Sequence, residues 1–509
     1  MNLPGTGSNP LRIAIIGAGP AGFYAAEQLL KQNELVVEVD MFDRLPTPYG
    51  LVRGGVAPDH QKIKSVTRVF DRTASDERFR YFGNVEFGSH VTLADLERYY
   101  HQIYFSTGAQ TDRSLGIPGE DLSGSHSATE FVAWYNGHPD FCDLTFDLSQ
   151  ERVAIIGVGN VALDVARILC RTPEELARTD IADYALEALR SSRVRDVYIL
   201  GRRGPAQAAF TTPELKELGE LQGADVFVEA ADVELDASSL QQLEETGDRT
   251  ALKNVEILRE FASRPPAGKP KRLIFKFMTS PVEIESDASG HVTALKVVRN
   301  ELVATPDGRI QARPSGEPEE LPVGLVFRSI GYRGVALPDI PFDEKQGIVP
   351  NRDGRILDPA TDRPLTGLYV GGWIKRGPSG VIGTNKPDAL ETVACMVEDA
   401  LNGRTLSPET PQAEAAEQLV RERQPHAFTF DDWRRLDEYE TQRGKPLGRP
   451  RVKLVRIADM ISARDTACRP PDNGAHPSQA RPETKATRAT PVTLPGRFVP
   501  GNLPSSPRL

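Results

Sequence analysis

The chain of 509 residues is too long for one ordinary hydrophobic core, so two domains of moderate size are expected. Hydrophobic residues make up 39% and charged residues 26%, which is typical of a globular protein and excludes a fibrous or wholly disordered chain. A net charge of −10 argues against nucleic-acid binding, and no apolar run is long enough to cross a bilayer, so we expect neither a nucleic-acid nor a membrane partner.

The N-terminus and the cysteines narrow the location and the chemistry. The opening MNLPGTGSNP lacks the pattern of a signal peptide and the Arg-rich pattern of a mitochondrial presequence, so a cytoplasmic location is expected. Cys142, Cys170, Cys395 and Cys468 lie far apart in the chain. They form neither a C-x-x-C redox pair nor the spacing of a zinc or iron–sulfur site, so no metal site is predicted.

Two strand–glycine–helix units follow one another along the chain. In the first, residues 11–16 are an apolar run of strand length, glycines follow, and residues 21–30 have a helical pattern. In the second, residues 153–156 predict the strand and residues 161–169 the helix, with a later buried strand at residues 197–200. The two units indicate an α/β protein with two Rossmann-like dinucleotide-binding domains.

The later part of the chain is expected to complete both domains. Residues 234–270 are polar and interrupted by Pro and Gly, and residues 273–278 and 292–298 predict strands of a meander. A buried strand at residues 324–330 should return the chain to the first domain. Residues 431–463 contain the pattern of an amphipathic helix, and we expect this stretch to belong to the folded body. These patterns predict the following division: a first domain at 1–108 and 324–463, a second domain inserted at 109–323, and a disordered proline-rich tail at 464–509.

The first glycine-rich turn is a complete G-x-G-x-x-G between a predicted strand and a predicted helix. Gly17 permits the tight turn, Gly19 lets the backbone approach a pyrophosphate, and Gly22 lets the helix pack on the strand. Asp43 follows the second predicted strand, residues 36–41, where its carboxylate can accept hydrogen bonds from a ribose. The alternative, that the glycines only form a tight turn, is less favoured because strand, helix and acid occur together.

A third glycine-rich segment lies near the far end, at residues 372–385, before a helix that opens with Pro387. Its amide groups and the positive end of the helix dipole suit the electron-rich edge of a reduced flavin. The alternative is a surface loop with a helix cap at Asn385. Its occurrence together with the first glycine turn favours the flavin interpretation.

The second glycine-rich turn repeats the fingerprint and ends in a small residue that still permits helix–strand packing. Its candidate nucleotide-binding residues are Gly159, Asn160, Val161 and Ala162. Arg202 and Arg203 follow the next candidate strand, where an acidic residue would select NAD. Two guanidinium groups can instead bind a 2′-phosphate, so the sequence favours NADP. The alternative is two arginines on a solvated turn.

Five longer motifs are shared with a known family. They are LPTPYGLVRGGVAPDH (residues 45–60), GVGNVALDVAR (157–167), GRRGPAQAAFTTPELKEL (201–218), RSIGYRG (328–334) and GWIKRGPSGVIGTNK (372–386). They resemble the adrenodoxin-reductase-type ferredoxin–NADP reductases, including their actinobacterial relatives, and the resemblance spans about residues 11–463. It implies that the first domain binds FAD and that the inserted domain binds NADP.

The resemblance also implies roles for individual residues. FAD should lie along Gly17, Ala21, Gly22, Asp43 and Leu51, with Trp373, Gly380, Val381 and Ile382 against the flavin. Asp43 stands where many relatives carry Glu. His60 and Asp164 should lie near the junction of flavin and nicotinamide. Glu214 should contact the nicotinamide or its ribose, although Thr212-Pro213-Glu214 also reads as the cap and first turn of a helix, in which Glu214 complements the dipole.

The implied activity is that of an NADPH–ferredoxin oxidoreductase. A hydride passes from NADPH to FAD, and single electrons then pass to an acidic ferredoxin-type iron–sulfur protein. A flavin monooxygenase and a redox-sensing nucleotide-binding module remain as alternatives, whereas the missing dithiol argues against thioredoxin-reductase chemistry. For docking the acidic partner we expect Lys375 and Arg376, with the Lys269, Lys271 and Arg272 cluster as the next candidate.

Overall fold

The computed structural model of the protein describes residues 4–305 and 310–467. Residues from 468 onward, which make up most of the predicted tail, lie outside the described part, so their disorder stays a prediction. The last helix, Ile457–Ala467, continues past residue 463, where we expected the folded body to end. The folded body therefore reaches Ala467.

The described residues form several β-sheets, with helices between the strands. The strands are β1 (Leu11–Ile16), β2 (Val37–Asp43), β3 (Phe79–Gly83), β4 (Gln102–Phe105), β5 (Thr111–Asp112), β6 (Ser125–Ser127), β7 (Arg152–Ile156), β8 (Asp196–Leu200), β9 (Ala224–Val228), β10 (Lys271–Lys276), β11 (Thr279–Ser286), β12 (Val292–Ala304), β13 (Ile310–Pro314), β14 (Glu319–Leu321), β15 (Leu325–Arg328), β16 (Tyr332–Arg333), β17 (Asn351–Arg352), β18 (Arg355–Leu357) and β19 (Pro364–Val370). The helices are α1 (Pro20–Lys31), α2 (Leu51–Gly54), α3 (Gln61–Lys64), α4 (Thr67–Thr73), α5 (Leu93–Tyr99), α6 (Ala128–Tyr135), α7 (Asn160–Cys170), α8 (Pro173–Leu176), α9 (Asp183–Arg190), α10 (Thr212–Leu218), α11 (Ala237–Thr246), α12 (Arg249–Ser263), α13 (Trp373–Arg376), α14 (Asn385–Leu401), α15 (Ala413–Arg423), α16 (Phe430–Gly444) and α17 (Ile457–Ala467). Within the described ranges, no helix combines the length and the apolar character that a membrane span requires.

The first sheet has the strand order β17-β18-β19-β4-β1-β2-β3. From β19 to β3 each strand is parallel to its neighbours, and β17 and β18 add an antiparallel edge. Every residue of β1 is buried, as expected for a parallel strand that is covered on both faces. Leu11, Ile13 and Ile15 pack with helices α1 and α14 in a cluster that we call the first-sheet core, while Ala14 and Ile16 point to the opposite face.

The second sheet has the order β6-β15-β7-β8-β10-β9, and all its strands are parallel. Val153 and Ile155 of β7 pack with helices α6 and α7 in a cluster that we call the second-sheet core. Each glycine fingerprint thus follows a central strand of a different parallel sheet. The prediction of two dinucleotide-type folds is confirmed at the level of the sheets.

The strand that was expected to return the chain to the first domain lies in the second sheet. Leu325–Arg328 pairs with β6 on one side and with β7 on the other, so the prediction of a boundary at residue 324 is wrong for this strand. The chain rejoins the first sheet at β17. A short buried run fits either sheet equally well, because its pairing is decided by neighbours distant in sequence.

The segment at residues 234–270 is also different from the prediction. It contains helices α11 and α12, whose first N–H groups are capped by the side chains of Asp236 and Asp248. Gly247 ends the first helix in a left-handed conformation, so it is a cap and does not mark a loop. These helices form the crossover between β9 and β10, which makes β10 a parallel strand of the second sheet and not the start of a meander.

The predicted strand at residues 292–298 is confirmed within β12, which belongs to a separate antiparallel sheet with β11, β13 and β14. Ile284 and Leu295 of this sheet pack against Ala154 and Ile156 of β7. Strands β5 and β16 pair as a two-stranded antiparallel ribbon. In the chain, β5 lies between β4 of the first sheet and β6 of the second, and β16 lies between β15 of the second sheet and β17 of the first. The predicted amphipathic helix near residue 431 is confirmed as α16.

Stability is expected to fall as the pH is lowered because of His101, which lies just before β4. Burial, with the nearby Arg12 charge, lowers the pKa of His101 from 6.5 to about 4, and its Nδ1 accepts a hydrogen bond from the Arg12 N–H at 3.0 Å. The unfolded chain therefore binds this proton at a higher pH than the folded chain does. We expect His101→Gln to reduce the loss of unfolding free energy between about pH 7 and about pH 5 in urea titrations. The matched variant His426→Gln, at an exposed position, should keep the wild-type pH dependence.

Candidate functional site

The first glycine turn has the geometry of an anion site. Gly17 has φ +105°, and a Cβ there would lie 2.5 Å from the carbonyl oxygen of Ser106, so a larger residue is excluded. A Cβ at Gly22 would collide with the Gly17 carbonyl oxygen, whereas one at Gly19 would meet nothing within 4 Å. Helix α1 begins at Pro20, and no side chain caps its N-terminus. The free first-turn amides and the open space beside Gly19 fit a bound pyrophosphate.

Asp43 lies at the end of β2, as predicted, and braces this turn. One carboxylate oxygen accepts the Ala18 N–H at 2.8 Å, and the other accepts the Leu45 N–H at 2.9 Å. Burial raises the pKa of Asp43, and the two backbone hydrogen bonds oppose that rise. Each oxygen keeps a further lone pair, so binding of a ribose hydroxyl is compatible with the bracing role.

The third glycine-rich segment lies against the first turn. A Cβ at Gly372 would be 2.6 Å from the Ala21 side chain on α1. The helix after this segment begins at Asn385, two residues before the predicted opening at Pro387, and Asn385 is not the helix cap that the alternative interpretation required. Thr384 occupies the N-cap position. The 3-10 turn Ile382–Thr384 runs directly into the helix, so Thr384 and Asn385 both have helical backbone angles.

Exposed apolar side chains mark a surface next to the first turn. Val381 is 52% exposed and Leu51 is 37% exposed. The Trp373 ring packs on Tyr332 with 5.3 Å between ring centroids. Gly380 is exposed and Ile382 is half-buried. A flat aromatic ring system placed on this surface would cover these apolar groups.

The second glycine turn repeats the geometry of the first. Gly157 has φ +133°, and a Cβ there would collide with the carbonyl oxygen of Ser329, while nothing lies within 4 Å of a Cβ at Gly159. Helix α7 starts at Asn160 without a side-chain cap, and Ala162 is fully buried against the strand. The Asn160 side chain accepts the Thr211 N–H at 2.7 Å, which ties the turn to the segment before α10.

Arg202 and Arg203 follow β8 as predicted. Arg202 is exposed and Arg203 is half-buried. Burial and the neighbouring Arg202 charge lower the pKa of Arg203. Neither guanidinium group has a hydrogen bond or an ion pair with any side chain of residues 4–305 and 310–467. Two adjacent, uncompensated cations beside an open glycine turn fit a dianionic 2′-phosphate.

The structure brings His60 and Asp164 together and adds a partner that the sequence did not indicate. The His60 Nε2 lies 2.8 Å from the Glu217 carboxylate, and its Nδ1 lies 4.0 Å from Asp164. His60 is 9% exposed. Because His60 follows the first glycine turn and Glu217 belongs to α10, which follows the second, this contact joins the parts of the chain that carry the two turns.

Glu214 lies one helical turn before Glu217 on α10. Burial raises the pKa of Glu214, and its Oε2 is buried without a hydrogen-bond partner among the described residues. Thr211, and not Thr212, is the N-cap residue of this helix. The Thr212 hydroxyl donates to the Asn254 side chain at 2.7 Å, so it is engaged away from the helix start.

Arg167 is fully buried and, like His60, lies next to Asp164. It donates to Asp59 at 2.7 Å and to Asp164 at 2.6 Å, and Arg171 donates to the same Asp59 at 2.6 Å. Burial alone would raise the pKa of Asp59, but the Arg167 and Arg171 charges hold it well below its usual range. Burial raises the pKa of Asp164, partly offset by Arg167. The pair Asp59–Arg167 fixes the loop before His60 to helix α7.

Three independent comparisons agree with this geometry. A family model described as "Pyridine nucleotide-disulphide oxidoreductase" matches residues 11–202. The chain is 48% identical over 461 residues to "NADPH-ferredoxin reductase FprA" of Mycobacterium tuberculosis, covering 89% of this chain and 98% of the relative. It is 41% identical over 464 residues to the mitochondrial "NADPH:adrenodoxin oxidoreductase" of Arabidopsis thaliana, covering 90% and 96%. The solved structure of M. tuberculosis FprA in complex with NADPH matches with a TM-score of 0.84 and 47% identity over 90% of this chain and 100% of that one.

The chain belongs to the adrenodoxin-reductase-type ferredoxin–NADP reductases. The family resemblance predicted from the motifs is therefore confirmed, and with it the classification as an oxidoreductase that uses FAD and NADP(H). The two glycine turns, the uncompensated arginines and the exposed apolar surface all fit these cofactors.

Three of the four cysteines of the reductase lie within the described ranges, and none of these three forms a disulfide. Cys142, Cys170 and Cys395 are free thiols, and Cys468 lies outside the described ranges. Over residues 4–305 and 310–467, no group of His, Cys, Asp and Glu side chains could hold a metal ion.

The predicted docking pair of the reductase, Lys375 and Arg376, is not a free basic patch. Lys375 is only 7% exposed, and its Nζ lies 3.1 Å from Asp388 and close to Glu391. Arg376 donates to the Ser379 carbonyl at 2.6 Å. Both cations hold the glycine-rich segment to α14, so the expectation that Lys375 is an exposed cation is wrong, because the fold brings this lysine into a pair with a buried carboxylate.

The second docking candidate is engaged in a similar way. Lys271 donates to the Leu169 carbonyl at 2.6 Å, and Arg272 donates to Asp196 at 2.7 Å. Lys269 donates to the Leu221 carbonyl. All three side chains are therefore bound to neighbouring segments, Lys269 and Lys271 through backbone carbonyls and Arg272 through a carboxylate.

Lys375→Glu is therefore expected to lower the stability and the FAD content of the reductase together. The new carboxylate would face the buried Asp388 and the nearby Glu391, so the cost should be at least about 3–5 kcal/mol, as for loss of one partner of a buried ion pair. Thermal melting and the ratio of flavin to protein absorbance measure both effects. Lys386→Glu, at an exposed position of α14, is the matched control. Retained flavin with a loss confined to ferredoxin-dependent reduction would support the original docking role.

Proposed function

We propose that this reductase oxidises NADPH at a bound FAD and passes single electrons to an acidic ferredoxin-type iron–sulfur protein in the cytoplasm. The observation that carries the proposal is the 2.8 Å contact between His60 and Glu217. It joins the loop after the first glycine turn to the helix after the two arginines. A flavin and a nicotinamide bound at the two turns would meet beside this contact.

We assign FAD to the first sheet and NADP to the second sheet. The support is the exposed apolar surface at Leu51 and Val381 next to the first turn, and the uncompensated Arg202 and Arg203 next to the second. FAD supplies the conversion between a hydride donor and a one-electron acceptor. Amides of the two turns would hold the pyrophosphates, and the arginines the 2′-phosphate that distinguishes NADPH from NADH.

The residues around His60 would orient the reacting groups. Asp59 and Arg167 fix the loop that carries His60, Glu217 lies within hydrogen-bond distance of the His60 Nε2, and Asp164 lies 4.0 Å from its Nδ1. The half-buried Glu214, whose pKa is raised by burial, lies on the nicotinamide side of the same cluster, with an Oε2 that has no partner among the described residues and can bind an amide or a hydroxyl. Holding the two rings at roughly 3–3.5 Å and excluding water is the contribution that the protein makes.

Ferredoxin-dependent reduction of cytochrome c tests the proposal directly. We expect reduction with NADPH and an added acidic ferredoxin, little reduction with NADH, and little without the ferredoxin. The rate should fall with ionic strength, because an acidic partner associates through charge. Stoichiometric oxygen consumption with an organic product would favour a flavin monooxygenase, and bound FAD without NADPH oxidation by any acceptor would favour a sensing module.

A further inference from the structure

A short irregular segment between α16 and α17 contacts the cores of both large sheets. We call residues 449–456 the strap. Leu454 packs in the first-sheet core, and the next residue, Val455, packs in the second-sheet core. The Val455 side chain approaches so closely that a Cβ at Gly137 would lie 2.9 Å from it. The strap is thus wedged between the parts that we assign to FAD and NADP.

The ammonium group of Lys453 binds both parts at once. It donates to the carbonyl oxygen of Asn136, after α6, at 3.0 Å, and to the carbonyl oxygen of Arg53, in α2, at 3.3 Å. It also lies 3.5 Å from Asp180. The Lys453 side chain is 1% exposed. A cation at this depth that bonds two separate backbone segments restricts their relative movement.

Asp180 connects Lys453 to the helix next to His60. Its carboxylate also receives Lys64 at 2.7 and 2.9 Å. Lys64 ends helix α3, and the residue before that helix is His60. Lys453, Asp180 and Lys64 therefore form a continuous buried connection from the strap to the helix that starts at the site histidine.

The other end of the same loop is held by α16. Glu440 is fully buried and receives Arg53 in two parallel hydrogen bonds of 2.8 and 2.6 Å, as well as the Leu454 N–H at 2.8 Å. Arg53 follows Leu51 by two residues. The loop of residues 51–64, which carries Leu51, Asp59 and His60, is consequently fixed at both ends by the strap and its neighbours.

The buried group formed by Lys453, Asp180 and Lys64 contains two cations and one anion. Lys64 and Lys453 share Asp180, and burial lowers the pKa of both lysines against the opposing effect of that carboxylate. Removal of the Lys453 charge leaves Asp180 paired with Lys64, so no buried charge becomes unpaired. An apolar replacement of Lys453 should consequently be tolerated by the fold.

We propose that Lys453 is a positioning residue that holds the loop of residues 51–64, with His60, against the nicotinamide part of the site. It touches neither cofactor and acts through Arg53, Asp180 and Lys64. The inference rests on the proposed function, because it assigns the two nucleotides to the parts that the strap connects.

The test compares the two half-reactions in the full-length, FAD-loaded enzyme. In Lys453→Met, we expect the limiting rate of flavin reduction by NADPH, measured anaerobically by stopped flow, to fall at least about tenfold, because misplacement of reacting rings by about 1 Å has large effects on rate. Oxidation of the dithionite-reduced flavin by ferricyanide should keep its wild-type rate, since it needs no alignment with a nicotinamide. A merely structural role would slow both half-reactions of the FAD-loaded variant to the same extent.

Arg456→Met is the matched control within the strap. Its guanidinium pairs only at the surface with Asp143, and both side chains are more than half exposed. This variant should reduce its flavin at the wild-type rate. If Lys453→Met fails to hold FAD, Arg449→Met replaces it, because Arg449 holds the backbone beside Asp180 through the Thr179 carbonyl at 3.0 Å.

The outcomes separate this inference from the proposed function. Wild-type rates in both Lys453→Met and Arg449→Met, or equal slowing in Arg456→Met, would overturn the positioning role alone. Failure of NADPH to reduce the flavin of the wild-type enzyme would overturn the proposed function. Slowing confined to the reductive half-reaction of the strap variants supports the positioning role.

Discussion

Replacement of both Arg202 and Arg203 by alanine is expected to raise the KM for NADPH about a hundredfold and to leave the KM for NADH nearly unchanged. Two charge-assisted hydrogen bonds to the 2′-phosphate, each contributing about 1.5 kcal/mol or more, would be lost. Since no described side chain neutralises either guanidinium, no internal ion pair is broken in the variant. Steady-state diaphorase assays with both nucleotides measure the ratio of their kcat/KM values.

Arg190→Ala provides the control for loss of an exposed arginine. Arg190 pairs with Glu187 on helix α9, and both are exposed, so its removal should change neither KM. An unchanged preference for NADPH in the double variant would show that the arginine pair lies on a solvated turn and that the 2′-phosphate is bound elsewhere.

Arg167→Met is expected to lower the free energy of unfolding at neutral pH by about 3–5 kcal/mol and to abolish rapid flavin reduction by NADPH. The variant leaves Asp59 and Asp164 buried without their shared cation. Asp59 keeps Arg171, whereas the pKa of Asp164, which burial already raises, should rise further without Arg167, so the stability deficit should shrink as the pH is lowered. Urea unfolding at about pH 7 and about pH 5 measures the deficit and its sign.

Neutralising the carboxylates provides a rescue experiment. The triple variant Arg167→Met, Asp59→Asn, Asp164→Asn contains no buried charge at this place and should regain part of the lost stability, but not the rate of flavin reduction. Arg171→Met is the milder comparison, because Asp59 keeps Arg167 in that variant. A deficit in Arg167→Met that does not depend on pH would show that lost packing, and not unpaired charge, determines its stability.

The sequence by itself determined the two nucleotide-binding turns, because their requirements are local. Gly17 and Gly157 need positive φ angles and close backbone approach, and only glycine meets both. The strands and helices on either side follow from hydrophobic runs of the right length, and the observed bounds differ from the predicted ones by a few residues at most. The position of Arg202 and Arg203 just after a strand was predicted for the same reason, and their binding of a 2′-phosphate stays a prediction.

Two kinds of element were misjudged. Helix α11 buries only Ser239 and Leu243 and has little local pattern, whereas α12 has buried residues at helical spacing, Ala251, Val255, Leu258 and Phe261, that the interpretation of the segment as polar overlooked. The buried strand β15 has no feature that distinguishes one parallel sheet from another. Parallel strands join partners that are distant in sequence, so their order depends on packing that no short window contains.

Tertiary structure alone decided how the charged groups are used. Lys375 could be a docking cation or a buried ion-pair partner, and only the position of α14 makes it the latter. His60 meets Glu217, and Lys453 meets Asp180, across long stretches of chain. The energy of a charge depends on its burial and on what lies within a few ångströms, and both are properties of the folded chain that residue type and spacing do not fix.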